Sequence, residues 1–219
     1  MGFRIAAPGE ILFDDGLLLV TVDDSPKATA YKPPPEIGMM SAGIERDMAA
    51  KNSPWDWSPK RVVAIRADTG ATEWQKKCPV APLTLSMNGR YVFLHNGDEI
   101  VCLSRTDGQE RWRKVPGSSL QGSPRSWYAK TIKNIGRLGR ALPASSAPTL
   151  VLHEGVVIFT GGDGKLCGID QESGEQLWVG ECLSSGHYTP EDVLVAGGLV
   201  WTAETAHSRS SGRAVGLDP

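Results

Sequence analysis

The chain has 219 residues, a formal charge of −2 and 40% hydrophobic residues. That balance excludes a disordered acidic or basic tail, and it gives no global attraction to nucleic acid or to a membrane surface. Twenty-five glycines and fifteen prolines point to short elements joined by many turns.

The first predicted element runs from Pro8 to a turn at Gly16, and a second apolar strand, LLLVTV, follows it. This is the longest apolar run, and it is far too short to cross a bilayer. The opening MGFRIAAPGE has no apolar signal core, so no signal peptide is visible in this chain. An insertion from Ser25 to Lys60 comes next. The chain then resumes with RVVAIRA, the turn ADTG and a strand centred on Trp74.

The same order recurs. Pro82 to Gly89, YVFLHN, EIVCLSR and a strand centred on Trp112 form a second unit. After an insertion from Pro116 to Ala147, Pro148 to Gly155, VVIFTG, KLCGIDQ and the strand of Trp178 form a third. Pro190 to Gly197, LVWTAE and GRAVGLD begin a fourth. In three units a glycine stands four residues before the tryptophan: Gly70 and Trp74, Gly108 and Trp112, Gly174 and Trp178. An aliphatic residue (Ile65, Leu103, Ile169) stands nine before it. Val, Ile, Leu, Phe and Tyr dominate the apolar runs, as strands require, and Asn-Gly or Asp-Gly turns separate them.

Each unit therefore reads as strand A, turn, strand B, turn, strand C, turn, strand D. Hairpin-linked strands form an antiparallel meander, which alone leaves both faces and both edges uncovered. Stacking the meanders radially covers the faces. The predicted fold is all-β: a β-propeller of four-stranded antiparallel meander blades, three complete blades plus three strands of a fourth. The blades span about 8–78 (with the insertion at 25–60), 79–115, 148–182 and 189–219.

The repeat resembles the PQQ-like β-propeller family, on VVIFTGGDGKLCGIDQESGEQLW (156–178) and on the shorter matches VVAIRADTGATEW (62–74) and EIVCLSRTDGQERW (99–112). The resemblance implies that Trp74, Trp112 and Trp178 dock between neighbouring blades. It implies a larger ring, with the remaining blades as partners of these, and a periplasmic or otherwise extracytoplasmic place. It brings PQQ to mind as a cofactor. That family's dehydrogenases carry adjacent cysteines and a calcium-bound carboxylate set; this chain has no Cys-Cys pair and no matching ligands, so no cofactor is predicted.

The long connections are B–C of the first unit, D–A between the second and third, and Ala206 to Ser211 in the fourth. The meander puts all three on one side. One-sided elaboration marks a binding face for a protein or a small anionic or glycan-like ligand. Its candidate residues are Trp55 and Trp57 in the first insertion, and Arg125, Trp127, Tyr128, Lys130, Lys133 and Arg137 in the second. His187, His207 and Arg209 join them from the loops around the fourth unit. The second insertion has no acid, and its apolar residues recur at helical spacing over 126–138, as for a short amphipathic helix. A second short helix is predicted over 43–52.

The expected function is a non-catalytic binding or scaffolding propeller, with no specific nucleic-acid binding and no membrane span. The alternatives are a PQQ-dependent dehydrogenase and a hydrolase or lyase with an axial site. Two histidines on separate loops make a poor metal site, and none is predicted. Cys78, Cys102, Cys167 and Cys182 are too few for a disulfide framework. A Cys78–Cys102 or Cys167–Cys182 bond stays open. His95 and His153 read as structural.

Overall fold

A computed structural model describes residues 8–23, 60–81, 84–96, 99–116, 149–160, 165–182, 193–204 and 212–219. Their elements are strands: β1 (Pro8–Asp14), β2 (Leu17–Asp23), β3 (Lys60–Arg66), β4 (Thr72–Lys77), β5 (Ser86–Met87), β6 (Tyr91–His95), β7 (Ile100–Ser104) and β8 (Glu110–Lys114). They continue with β9 (Thr149–His153), β10 (Val156–Thr160), β11 (Lys165–Asp170), β12 (Gln176–Glu181), β13 (Val193–Ala196), β14 (Leu199–Glu204) and β15 (Arg213–Leu217). They form three four-stranded sheets, β1–β4, β5–β8 and β9–β12, and one three-stranded sheet, β13–β15. Each sheet keeps its strands in chain order, and every pairing is antiparallel. The first strands of the sheets neighbour one another in turn, β1 by β5, β5 by β9, and β9 by β13. The sheets therefore fan from their first strands as blades do.

Strand alternation decides what lies between the blades. Leu19, Val62, Ala64 and Trp74 of the first blade meet Leu85, Val92, Leu94, Val101 and Leu103 of the second. Phe93, Ile100, Cys102 and Trp112 meet Leu150, Val157, Phe159, Cys167 and Ile169. Ile158, Leu166 and Cys182 meet Val193 and Val200. The central strands β6 and β7 are apolar on both sides because both their faces are covered.

Each C–D turn is tied to the A–B turn of its own sheet: the N–H groups of Ala67, Arg105 and Gln171 donate to the carbonyls of Gly16, Arg90 and Gly155. These turns share one side of the fan, so the B–C and D–A connections leave from the other. One predicted strand shrinks. Among the described residues of the run from Pro82 to Gly89, Ser86–Met87 alone form strand. Side chains have taken over its bonding. Asn88 Oδ1 accepts from the N–H groups of Arg90 and Tyr91, and Thr84 Oγ1 donates to the Ala81 carbonyl while accepting from His95 N–H. Such local bonds compete with a sheet ladder.

Candidate functional site

The chemistry that recurs in this chain sits at the junctions between blades. Strand C pairs with strand D through a register shift in each complete sheet, at Ala64/Ile65, Cys102/Leu103 and Gly168/Ile169. The extra residue stands just before the tryptophan, and such a bulge re-aims the side chain that follows. The turn that precedes it closes the same way each time. Gly70, Gly108 and Gly174 donate to the carbonyls of Arg66, Ser104 and Asp170, with φ of 71°, 68° and 71°.

Two of these turns hold the indole of the blade before them. Trp74 Nε1 donates to the Arg105 carbonyl at 2.7 Å, and Trp112 Nε1 donates to the Gln171 carbonyl at 2.9 Å. A Cβ added at Gly108 would stand 2.6 Å from the Trp74 ring, and one at Gly174 2.8 Å from the Trp112 ring. Glycine is needed here twice over, for the left-handed backbone and for the close approach of the ring. Trp178 rests differently. Its ring lies on Gly168, its cross-strand partner, where an added Cβ would stand 2.2 Å from it. Its Nε1 is buried without a hydrogen-bond partner among the described residues. The position that matches Gly108 and Gly174 in the fourth blade falls past residue 219.

Polar clasps reinforce the same junctions on the turn side. The Arg105 guanidinium, with its side chain 9% exposed, pairs with the Asp14 carboxylate. It also donates to the carbonyls of Asp14 at 2.6 Å and Asn88 at 3.0 Å. At the next junction Asn88 Nδ2 donates to Gln171 Oε1 at 2.9 Å, Arg90 pairs with Glu172 at 2.7 Å, and the Tyr91 hydroxyl donates to Glu172. That hydrogen bond raises the Tyr91 pKa. An open cleft beside the first clasp is lined by Arg66, Asp68, Glu73 and Arg105. Both of its arginines already pair, Arg66 with Glu73 and Arg105 with Asp14.

The histidine and thiols are packing groups in this geometry. His95 is buried and stacks on Phe159 with centroids 4.9 Å apart. Burial lowers its pKa to about 3. His153 ends β9 and is half-buried. All four cysteines are free, so neither open disulfide pairing forms. Burial pushes the Cys78 thiol up to about 11 and the Cys102 thiol up to about 12.

Trp55, Trp57, Arg125, Trp127, Tyr128, Lys130, Lys133, Arg137, His187, His207 and Arg209 lie outside the described residues, as do the two predicted helices. Among the described residues no group of three or more His, Cys, Asp or Glu is placed to hold a metal ion. Among the described residues there is no helix long and apolar enough to cross a membrane. The clasp residues Asn88, Arg105, Gln171 and Glu172 were not singled out from the sequence. The available signal was position: Arg105 and Gln171 both stand three residues before a turn glycine.

Residues 58–219 match the family model described as outer membrane protein assembly factor BamB. The chain belongs to this PQQ-like propeller family. A BamB from Burkholderia pseudomallei is 25% identical over 163 residues, 71% of this chain and 39% of that protein. The crystal structure of BamB from Moraxella catarrhalis superposes with a TM-score of 0.44 at 20% identity, over 72% of this chain and 43% of that one. A quinohemoprotein alcohol dehydrogenase from Comamonas testosteroni gives 0.48 at 13% identity, over 88% and 28%. The chain thus spans about two fifths of the length of the BamB relatives it matches.

Proposed function

We propose that the chain is part of a non-catalytic scaffold propeller that works outside the cytoplasm in the assembly of outer membrane proteins. The observation that carries this reading is the match of residues 58–219 to the BamB family model. The blade architecture is consistent with it: the clusters of buried apolar side chains fill the junctions, which suits a rigid platform. We further propose that other proteins bind on the side from which the B–C and D–A connections leave. Residues 24–59, 117–148 and 205–211 are, in chain order, long connections of the B–C and D–A kind. The second holds five cations and no acid, so its partner surface is acidic or anionic. No quinone takes part.

The test replaces residues 117–148 by a short Gly-Ser linker in the bacterial host. The expected result is an unchanged unfolding midpoint and loss of co-purification with outer-membrane assembly proteins. Retained association overturns the binding face. A stoichiometric quinone on the purified protein, after PQQ and calcium are added, overturns the non-catalytic reading.

A further inference from the structure

The outer strand is a free edge of each complete sheet: β4, β8 and β12 each pair on one side only. An unpaired edge offers its backbone N–H and C=O groups to any strand that arrives, and sheets ordinarily guard it with charge. β4 and β8 are guarded. Glu73 and Gln75 stand on either side of Trp74, and Arg111 and Arg113 on either side of Trp112. β12 holds Leu177 and Val179 at those positions, exposed 54% and 41%, and carries no charge before Glu181. Val179 stands opposite Cys167, which packs in the junction with the second blade, so Val179 is on the face turned that way.

The two ends of this edge carry opposite charges. Lys114 lies at its start: a Cβ added at Gly174, just before β12, would stand 2.9 Å from Lys114 Cγ. Glu181 closes the strand. Both are exposed, and neither forms an ion pair among the described residues. An antiparallel neighbour of the same sequence brings its first end to the last end of β12. Each Glu181 then comes to the end where the other copy's Lys114 stands. Glu175 stands at that end too, so a charge swap reads which of the two meets Glu181.

We propose that β12 pairs antiparallel with β12 of a second copy of this chain, joining the third blades of the two copies edge to edge around a two-fold axis. Each copy contributes the same strand, as a closed symmetric contact requires. Aliphatic side chains meet along its middle, and opposite charges meet at its ends. Six residues per strand fall short of a standard interface of roughly 1,200–2,000 Å², so the dimer grows in with concentration. The contact uses the outer rim of the fan and not the side from which the B–C and D–A connections leave. It does not depend on the partner or function proposed above.

The test is sedimentation equilibrium of the 219-residue chain, with hydrogen exchange beside it. The mean mass rises towards that of a dimer with concentration, and the outward amides of β12 exchange more slowly as it does. Val179→Lys weakens the association at least about tenfold, because the new charge enters a symmetric contact twice. Its denaturation midpoint changes little, since Val179 is exposed. Glu181→Lys also weakens the association, and adding Lys114→Glu restores it. A chain that stays monomeric at millimolar concentration overturns the proposal. So does a dimer that Val179→Lys leaves intact, or one that Glu181→Lys tightens. Outward β12 amides already protected in the monomer overturn it too, by giving the edge to another segment of the same chain. A dimer that Phe13→Asp splits overturns it by moving the contact to the first blade, where Phe13 is exposed.

Discussion

The junction between the first two blades and the junction between the last two come from one repeat, yet their tryptophans come to rest in different places. Trp74 and Trp178 follow the same register shift on the same outer strand. Trp74 reaches across to a glycine and a carbonyl of the next blade. Trp178 lies back on Gly168 with its N–H buried and unpaired among the described residues. Ala64 and Cys102 hold the position of Gly168 in the other blades. Trp74 thus has an alanine opposite it on its own sheet and a turn glycine on the next, whereas Trp178 has a glycine opposite it on its own sheet.

The largest test of that contrast is deletion of the two rings. Trp112→Ala removes a buried, hydrogen-bonded indole and should cost about 3–5 kcal/mol. Trp178→Ala removes a half-buried ring with an unsatisfied donor and should cost about 1–2 kcal/mol. Equal losses in denaturant titrations would show that the second resting place is as stabilising as the first.

The clasps allow a smaller test. Arg105→Ala should cost about 2 kcal/mol, because a nearly buried cation loses hydrogen bonds to a carboxylate and to backbone carbonyls. Glu172→Ala at the second junction should cost less than about 1 kcal/mol, since its partner Arg90 is solvated. The reverse order would mean that the exposed clasp, not the buried one, holds the blades in register.

A last test is a slope with pH. His95 is held neutral by burial, with a folded pKa of about 3 against about 6.5 for the free side chain. Its contribution is fully present above pH 6.5. As pH falls towards 3 the unfolded chain takes up the proton first, and stability is lost at up to about 1.4 kcal/mol per pH unit. The His95→Leu variant should lose that part of the slope, read from denaturation midpoints between pH 7 and pH 4. An unchanged slope would place the acid sensitivity elsewhere, outside the junction that His95 shares with Phe159.

The blades were legible because their signals are local and repeated. An apolar run, a turn glycine and a tryptophan four residues later set strand B, strand C and strand D in each of the three four-stranded units. Strand A was less legible. The second unit's predicted strand dwindled to Ser86–Met87 once Asn88 and Thr84 bonded the backbone themselves. The clasps were illegible for a different reason. Asp14 and Arg105 are 91 residues apart, and the residue types at the repeated clasp positions differ from junction to junction, Asp14 with Arg105 and Asn88 with Gln171. The residues favoured as a ligand face lie on the long connections, which the described residues do not include.

What the amino-acid sequence determined by itself was the meander: alternation fixes which side chains share a face, and glycine fixes where the chain can turn. Only the tertiary structure decided what each tryptophan does. A turn glycine is indistinguishable in sequence from a ring seat, because Gly70, Gly108 and Gly174 share one backbone conformation. Whether a ring lies on it depends on a second blade arriving alongside, and that is a contact between distant segments rather than a property of either one.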